Sequence, residues 1–214
     1  MSWAETIKIN SNMGVPINEQ IRNNRFLPIK IIDSTGTYTP EKSGYYKVIC
    51  IGKGGDSYVK KRSGSNNYYD VSLGGAGGVA IKTYHLNNTQ SYTINITTDV
   101  TFNSELSATR GTSGSSISSG AAGTATGGDY NYTGLTGEGY TTPGDNFDGA
   151  SVGCYIAELS KNFMFSSGGV TVSSGTGILN YGYSGGIIVT ADNDMIVQSS
   201  GGCACIIIPL EYDV

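Results

Sequence analysis

Gly74-Gly75-Ala76-Gly77-Gly78-Val79-Ala80-Ile81-Lys82-Thr83-Tyr84-His85-Leu86 passes from a glycine tract straight into a strand. From Val79 the side chains alternate, and alternation with period two is what a half-buried β-strand requires, because successive Cβ atoms point to opposite faces. The same pattern recurs in Tyr45-Tyr46-Lys47-Val48-Ile49-Cys50-Ile51 and in Tyr92-Thr93-Ile94-Asn95-Ile96-Thr97. Further strands are expected at Val170 to Val172, Gly186 to Thr190, Met195 to Gln198 and Cys203 to Tyr212, with Asp192-Asn193-Asp194 as a hairpin turn rather than a calcium loop. The chain therefore reads as mainly β, with strands punctuated by Gly, Ser, Asn and Asp.

The punctuation is heavy. Of 214 residues 32 are glycine, about twice the usual ~7%. Tracts lie at Gly74 to Gly78, Ser113 to Gly128, Gly134 to Gly139, Gly168-Gly169 and Gly185-Gly186. No strict Gly-X-Y period runs through them, which excludes a collagen helix. Two states remain for such tracts. They are disordered, or they pack as extended polyglycine-type helices whose missing side chains let neighbouring backbones approach and pair. Short, interrupted runs confine the second arrangement to part of the chain. The expected fold is a glycine-rich β-sandwich-like or layered β domain over residues 29–214, preceded by a short helical segment over residues 1–28.

That first segment has its own chemistry. Ser2-Trp3-Ala4-Glu5 matches a capping box and would start a short helix bearing Trp3 and Ile7 on one face. Pro16 suits a first helical turn, with Ile17 and Ile21 four apart. Helices this short do not hold alone in water, so these four apolar residues need a partner, either the body of this chain or another protein, and are candidates for particle docking.

Charge and cysteine usage exclude several functions. The net charge is −4, and the one basic run, Lys60-Lys61-Arg62, reads as a solvated loop rather than a nucleic-acid footprint. No apolar run approaches membrane-helix length, and no Sec-type leader is visible, so synthesis in a cytosol and no membrane insertion are expected. Cys50, Cys154, Cys203 and Cys205 lack finger spacing and read as small buried hydrophobes in preference to a disulfide or a metal site. No metal or cofactor is expected. No catalytic constellation assembles either. His85 is the single histidine and sits on an alternating strand, Asp145 and Asp148 fall in ordinary turn chemistry, and the glycines of Gly52-Lys53-Gly54-Gly55 precede no helix.

Tyrosine is the residue that points to binding. There are 15, more than Phe and Trp together. Tyr58, Tyr68, Tyr69, Tyr130, Tyr132, Tyr140, Tyr181 and Tyr183 lie in Gly/Asn/Ser-rich segments, where a ring can stack on a sugar or protein while its hydroxyl keeps a hydrogen bond. About half of these are expected to be ordinary core or interface residues.

The order of segments resembles the glycine-rich domain at the ends of bacteriophage tail fibres. The resemblance rests on Thr37-Tyr38-Thr39-Pro40 with Gly44-Tyr45-Tyr46-Lys47-Val48, on Gly74 to Val79, on Leu86 with Ser91-Tyr92-Thr93-Ile94-Asn95-Ile96, and on the apolar ends Gly185 to Val189 and Cys203 to Tyr212. It covers residues 35–212. The segments Asp56 to Tyr69, Asp129 to Tyr140 and Tyr155 to Phe165 interrupt the glycine runs where that family varies its receptor contacts. The opening Met1 to Met13 is similar to the start of tail proteins in clostridial phages and contractile bacteriocins. The resemblance implies a trimeric, non-enzymatic receptor-binding protein of a virion tail or tail-like particle. Its N-terminus would be held by other tail or baseplate proteins, and its partner would be a bacterial surface glycan or protein. A purely structural tail or baseplate component is the alternative it leaves open.

Overall fold

A computed structural model describes residues 29–61, 68–116, 118–143, 181–182, 187–189, 195–197 and 200–213. The fold is mainly β, and the described residues contain no helix. The expected N-terminal helices, with Trp3, Ile7, Ile17 and Ile21, lie outside the described residues, as do Val170 to Val172 and the turn at Asp192 to Asp194.

Two five-stranded antiparallel sheets pack face to face. The first has the order β1 (Lys30–Ile32), β15 (Ala204–Tyr212), β3 (Gly44–Ile51), β6 (Val79–Leu86), β11 (Tyr130–Tyr132). The second has the order β10 (Ala125–Thr126), β9 (Leu106–Ala108), β8 (Val100–Phe102), β7 (Tyr92–Ile96), β2 (Gly36–Tyr38). Alternation sets the interior: Tyr46, Val48 and Cys50 of β3 and Cys205 and Ile207 of β15 meet Ile94, Phe102 and Leu106 across the layer. Aromatic rings fill its wide end, with Phe102 stacked on Tyr92 at 5.7 Å and tilted against Tyr84 at 5.2 Å. Two tyrosine hydroxyls of this core find backbone partners, the Tyr46 hydroxyl donating to the Lys42 carbonyl at 2.7 Å and the Asn87 N–H donating to the Tyr92 hydroxyl at 2.8 Å. The second half of β3 is buried on both faces, because Ile49 and Ile51 join Val79, Ile81 and Ile206 in a smaller cluster on the outer side of the first sheet.

Beyond Ile51 the strands do not stop; they change period. Residues 52–57, 73–78, 109–115, 118–124 and 133–138 continue β3, β6, β9, β10 and β11 as extended segments outside the sheets. Their N–H groups bond to neighbouring segments at every third residue, the spacing of a helix with three residues per turn. Within 73–78 the donors take three directions in rotation. Leu73 and Ala76 donate to Glu138 and Leu135, and Gly75 and Gly78 donate to Thr112 and Thr109. Gly74 and Gly77 turn to the third side, donating to the Ser57 hydroxyl and the Gly182 carbonyl. All six N–H groups of this buried segment are thereby satisfied, which an interior backbone requires. The other segments follow suit, with Gly111 and Gly114 donating to Lys53 and Asp56, Gly120 and Gly123 to Leu73 and Ala76, and Gly134 and Gly137 to Gly123 and Gly120.

Of the two states open for the glycine tracts, these residues adopt the packed one. Segment 133–138, which overlaps the Gly134 to Gly139 tract within the segment Asp129 to Tyr140, contributes a full member. Glycine is required by distance: a Cβ on Gly75 would overlap the Ala121 carbonyl, and one on Gly78 the Thr124 carbonyl. Past this layer the chain returns to strands. Segment 52–57 leads into β4 (Tyr58–Lys61), β5 (Tyr68–Ser72) leads into 73–78, and 133–138 leads into β12 (Gly139–Pro143). These three form a distal antiparallel sheet of order β12-β5-β4. The remaining pair, β13 (Ile187–Val189) and β14 (Met195–Val197), is antiparallel, as the sequence led one to expect on either side of the 192–194 turn.

Candidate binding face at the distal sheet

β4, β5 and β12 are held far from the sandwich by the polyglycine layer, so their placement is only as firm as that layer. Their register sorts the side chains into two faces. Tyr58 lies opposite Ser72 and Lys60 opposite Asp70, while on the other flank of β5 Thr141 lies opposite Asp70 and Pro143 opposite Tyr68. Alternation therefore puts Tyr58, Lys60, Tyr68, Asp70 and Thr141 on one face. Thr141 donates its hydroxyl proton to Asp70 at 2.9 Å, fixing one carboxylate oxygen. Tyr68 is 46% exposed. The opposite face carries Val59, Lys61, Tyr69 and Val71, with the Tyr140 position across from Val71. It is the closed face: Tyr69 is 3% exposed, with the Lys61 ammonium 5.7 Å from its ring centre.

The tyrosines singled out from the sequence thus fall into separate places. Tyr58 and Tyr68 share the open distal face. Tyr69, next to Tyr68 in the chain, is turned inward by the pleat, and Tyr140 occupies a register position on that same side. Tyr130 and Tyr132 lie on β11 opposite Ile81 and Val79, on the outer side of the first sheet. There Tyr130 is 50% exposed, and Tyr132 packs on the isoleucine cluster. Tyr181 packs on that cluster too and bridges to Gly202, and burial raises its hydroxyl pKa. Tyr183 lies outside the described residues. Lys60, Asp70 and Thr141 were missed as companions of the rings. The signal is present in the alternation of Tyr68-Tyr69-Asp70-Val71-Ser72, and Lys60 and Lys61, expected in a solvated loop, lie in β4 because they pair with Asp70 and Tyr69.

The residues weighed for catalysis are dispersed. His85 sits at the base of the sandwich, the end away from the polyglycine layer, where its Nε2 is 2.9 Å from Asp213 and its ring meets Tyr45 edge-on at 5.0 Å. Asp145 and Asp148 lie outside the described residues. Cys50 and Cys205 are buried, Cys203 is half-buried with its thiol 3.1 Å from the Thr97 carbonyl, and Cys154 lies outside the described residues.

A second surface lies on the sandwich flank. β1 and β2 are the edge strands of the two sheets on the same side, and between them runs a groove of about 310 Å³ lined by Lys30, Ile32, Thr37, Tyr38 and Glu41. Ile31 on β1, Ile29 just before it and Leu210 on β15 are exposed nearby.

Against models of known families, against curated proteins and against solved structures, the chain matches none.

Proposed function

We propose that this chain is the receptor-binding tip of a bacteriophage tail or tail-like particle, a homotrimer that attaches the particle to a bacterial surface glycan or protein without performing chemistry on it. The observation that carries this reading is polarity along the layers. β1 runs from Lys30, opposite Ile207, to Ile32, opposite Cys205, so the chain enters the first sheet from the base side, where β15 also ends. The open tyrosine face lies at the other extreme, beyond the polyglycine layer. A molecule held through residues 1–28, by Trp3, Ile7, Ile17 and Ile21, would present Tyr58, Lys60, Tyr68, Asp70 and Thr141 outward. Two rings beside a lysine and a hydrogen-bonded carboxylate suit a sugar polymer, whose faces stack on aromatic area and whose hydroxyls need both donors and acceptors.

The exposed Ile29, Ile31 and Leu210 beside β1, an edge strand among the described residues, favour a second reading, in which the chain contacts only other particle proteins. Large exposed apolar groups at an unpaired edge are a usual contact surface. Adsorption separates the two. Replacing Tyr58 and Tyr68 together with Ala should weaken binding to susceptible cells tenfold or more, since the loss of about 1.4 kcal/mol corresponds to that factor. The unfolding temperature should fall only slightly, because Tyr68 is exposed and Tyr58 half-buried. Tyr45→Ala at the base, equally exposed, should leave adsorption intact. Unchanged adsorption in the distal double variant, with particles still assembling, would remove the receptor-binding reading and leave the structural one.

A further inference from the structure

Cys50 and Cys205 face each other at the end of the first sheet that adjoins the polyglycine layer. Cys50 is the penultimate residue of β3, after which the chain leaves for the polyglycine layer; Cys205 is the second residue of β15, where it returns. They are direct cross-strand partners, both face the sandwich interior, and both are fully buried as free thiols. The neighbouring Cys205 thiol and burial together hold the Cys50 pKa well above its ordinary value. Directly opposed residues of an antiparallel pair have Cβ atoms about 4.5–5.5 Å apart. A disulfide needs about 3.5–4.5 Å, so closure asks for a shift on the order of 1 Å in two strands already in register.

We propose that Cys50 and Cys205 form a dithiol that closes to a cross-strand disulfide when the protein meets an oxidising, low-molecular-weight disulfide such as oxidised glutathione, clamping β3 to β15 at the end where these strands adjoin the polyglycine layer. One cysteine thiolate attacks a sulfur of oxidised glutathione and expels a glutathione thiolate, forming a mixed disulfide. The second cysteine thiolate attacks the protein sulfur of that bond and expels the other glutathione. The two protein thiols are oxidised, the glutathione disulfide is reduced to two thiols, and the two protons leave the cysteines for the departing glutathiones. Because the thiolate is the attacking species, burial makes the reaction slow, and its rate rises with pH and with transient opening of the strand pair. The closed loop spans residues 50–205. Closing a loop of that length removes conformational freedom from the unfolded chain that the folded chain had already given up.

The test uses the full chain equilibrated with excess oxidised glutathione at about pH 8.5 in urea below its unfolding midpoint, then denatured, alkylated and mapped by peptide mass spectrometry. The expected result is a Cys50–Cys205 linkage, an unfolding temperature raised by about 5 °C or more, and reversal of both by dithiothreitol. Cys203→Ser should still give the linkage, and Cys50→Ala, which keeps a small apolar group in the core, should show no oxidant-dependent shift. Thiols that remain alkylatable at both positions, a linkage that maps to Cys203, or a linked protein with an unchanged unfolding temperature would each overturn the proposal.

Discussion

Replacing Gly75 and Gly78 together with alanine is expected to lower the stability of this protein by about 3 kcal/mol or more, although each substitution adds one methyl group. Overpacking a rigid interior costs typically ~1–3 kcal/mol per site. Here each new Cβ would overlap a backbone carbonyl, that of Ala121 or Thr124, rather than a side chain able to rotate away. The segments cannot separate to make room, because 118–124 is tied by Gly120 and Gly123 to the carbonyls of Leu73 and Ala76. For a chain of 214 residues a loss of this size corresponds to a fall of roughly 10 °C in unfolding temperature. Gly36→Ala is the matched control. Its Cβ would meet nothing within 4 Å, so its effect should stay within about 0.5 kcal/mol, and thermal unfolding followed by circular dichroism reads both. Equal effects at the two kinds of site would mean that the close approach of the segments is not what selects glycine.

The second large effect expected is loss of assembly on removing residues 1–28. β1 begins at Lys30, and among the described residues the sandwich core has no member before Ile32; on the proposed function the truncated chain is expected to fold and to keep its adsorption to cells. Its incorporation into particles, measured on purified tails, should fall to background. If the truncated chain instead fails to fold, Trp3, Ile7, Ile17 and Ile21 complete this domain rather than docking it to another protein.

Long strands were legible in the sequence because burial on one or both faces forces a visible pattern. Gly44–Ile51, Val79–Leu86, Tyr92–Ile96 and Ala204–Tyr212 all fall where alternation or an apolar run placed them. Three-residue strands such as Val100–Phe102 and Leu106–Ala108 were not seen, since so few positions cannot display a period. The polyglycine layer was half legible. A search for one continuous Gly-X-Y repeat found none, yet a local spacing of three is present in Gly52/Gly55, Gly111/Gly114, Gly120/Gly123 and Gly134/Gly137. Each pair marks the residues of a threefold helix that face the same neighbour. The candidate site was the least legible part. Tyr68 and Tyr69 look equivalent in a Gly/Asn/Ser-rich stretch, and only the pairing of β5 with β4 and β12 sends one outward and the other inward.

The threefold helices also impose an arithmetic on how such a chain can change. Inserting one residue into 73–78 would rotate every later donor by about 120°. The N–H of Gly78 would then swing away from Thr109, and an insertion ahead of Ala76 would turn its methyl into a contact that tolerates only hydrogen, as at Gly74, Gly75, Gly77 and Gly78. Three residues added together would restore the phase and merely lengthen the layer. Lengths inside the segments are therefore quantised in threes, whereas the turns that join them, such as the one at Ser115 and Ser118, answer to no such rule. Lineages of this protein should accumulate single-residue insertions and deletions at the turns and distal strands, and change the layer itself by whole turns or not at all.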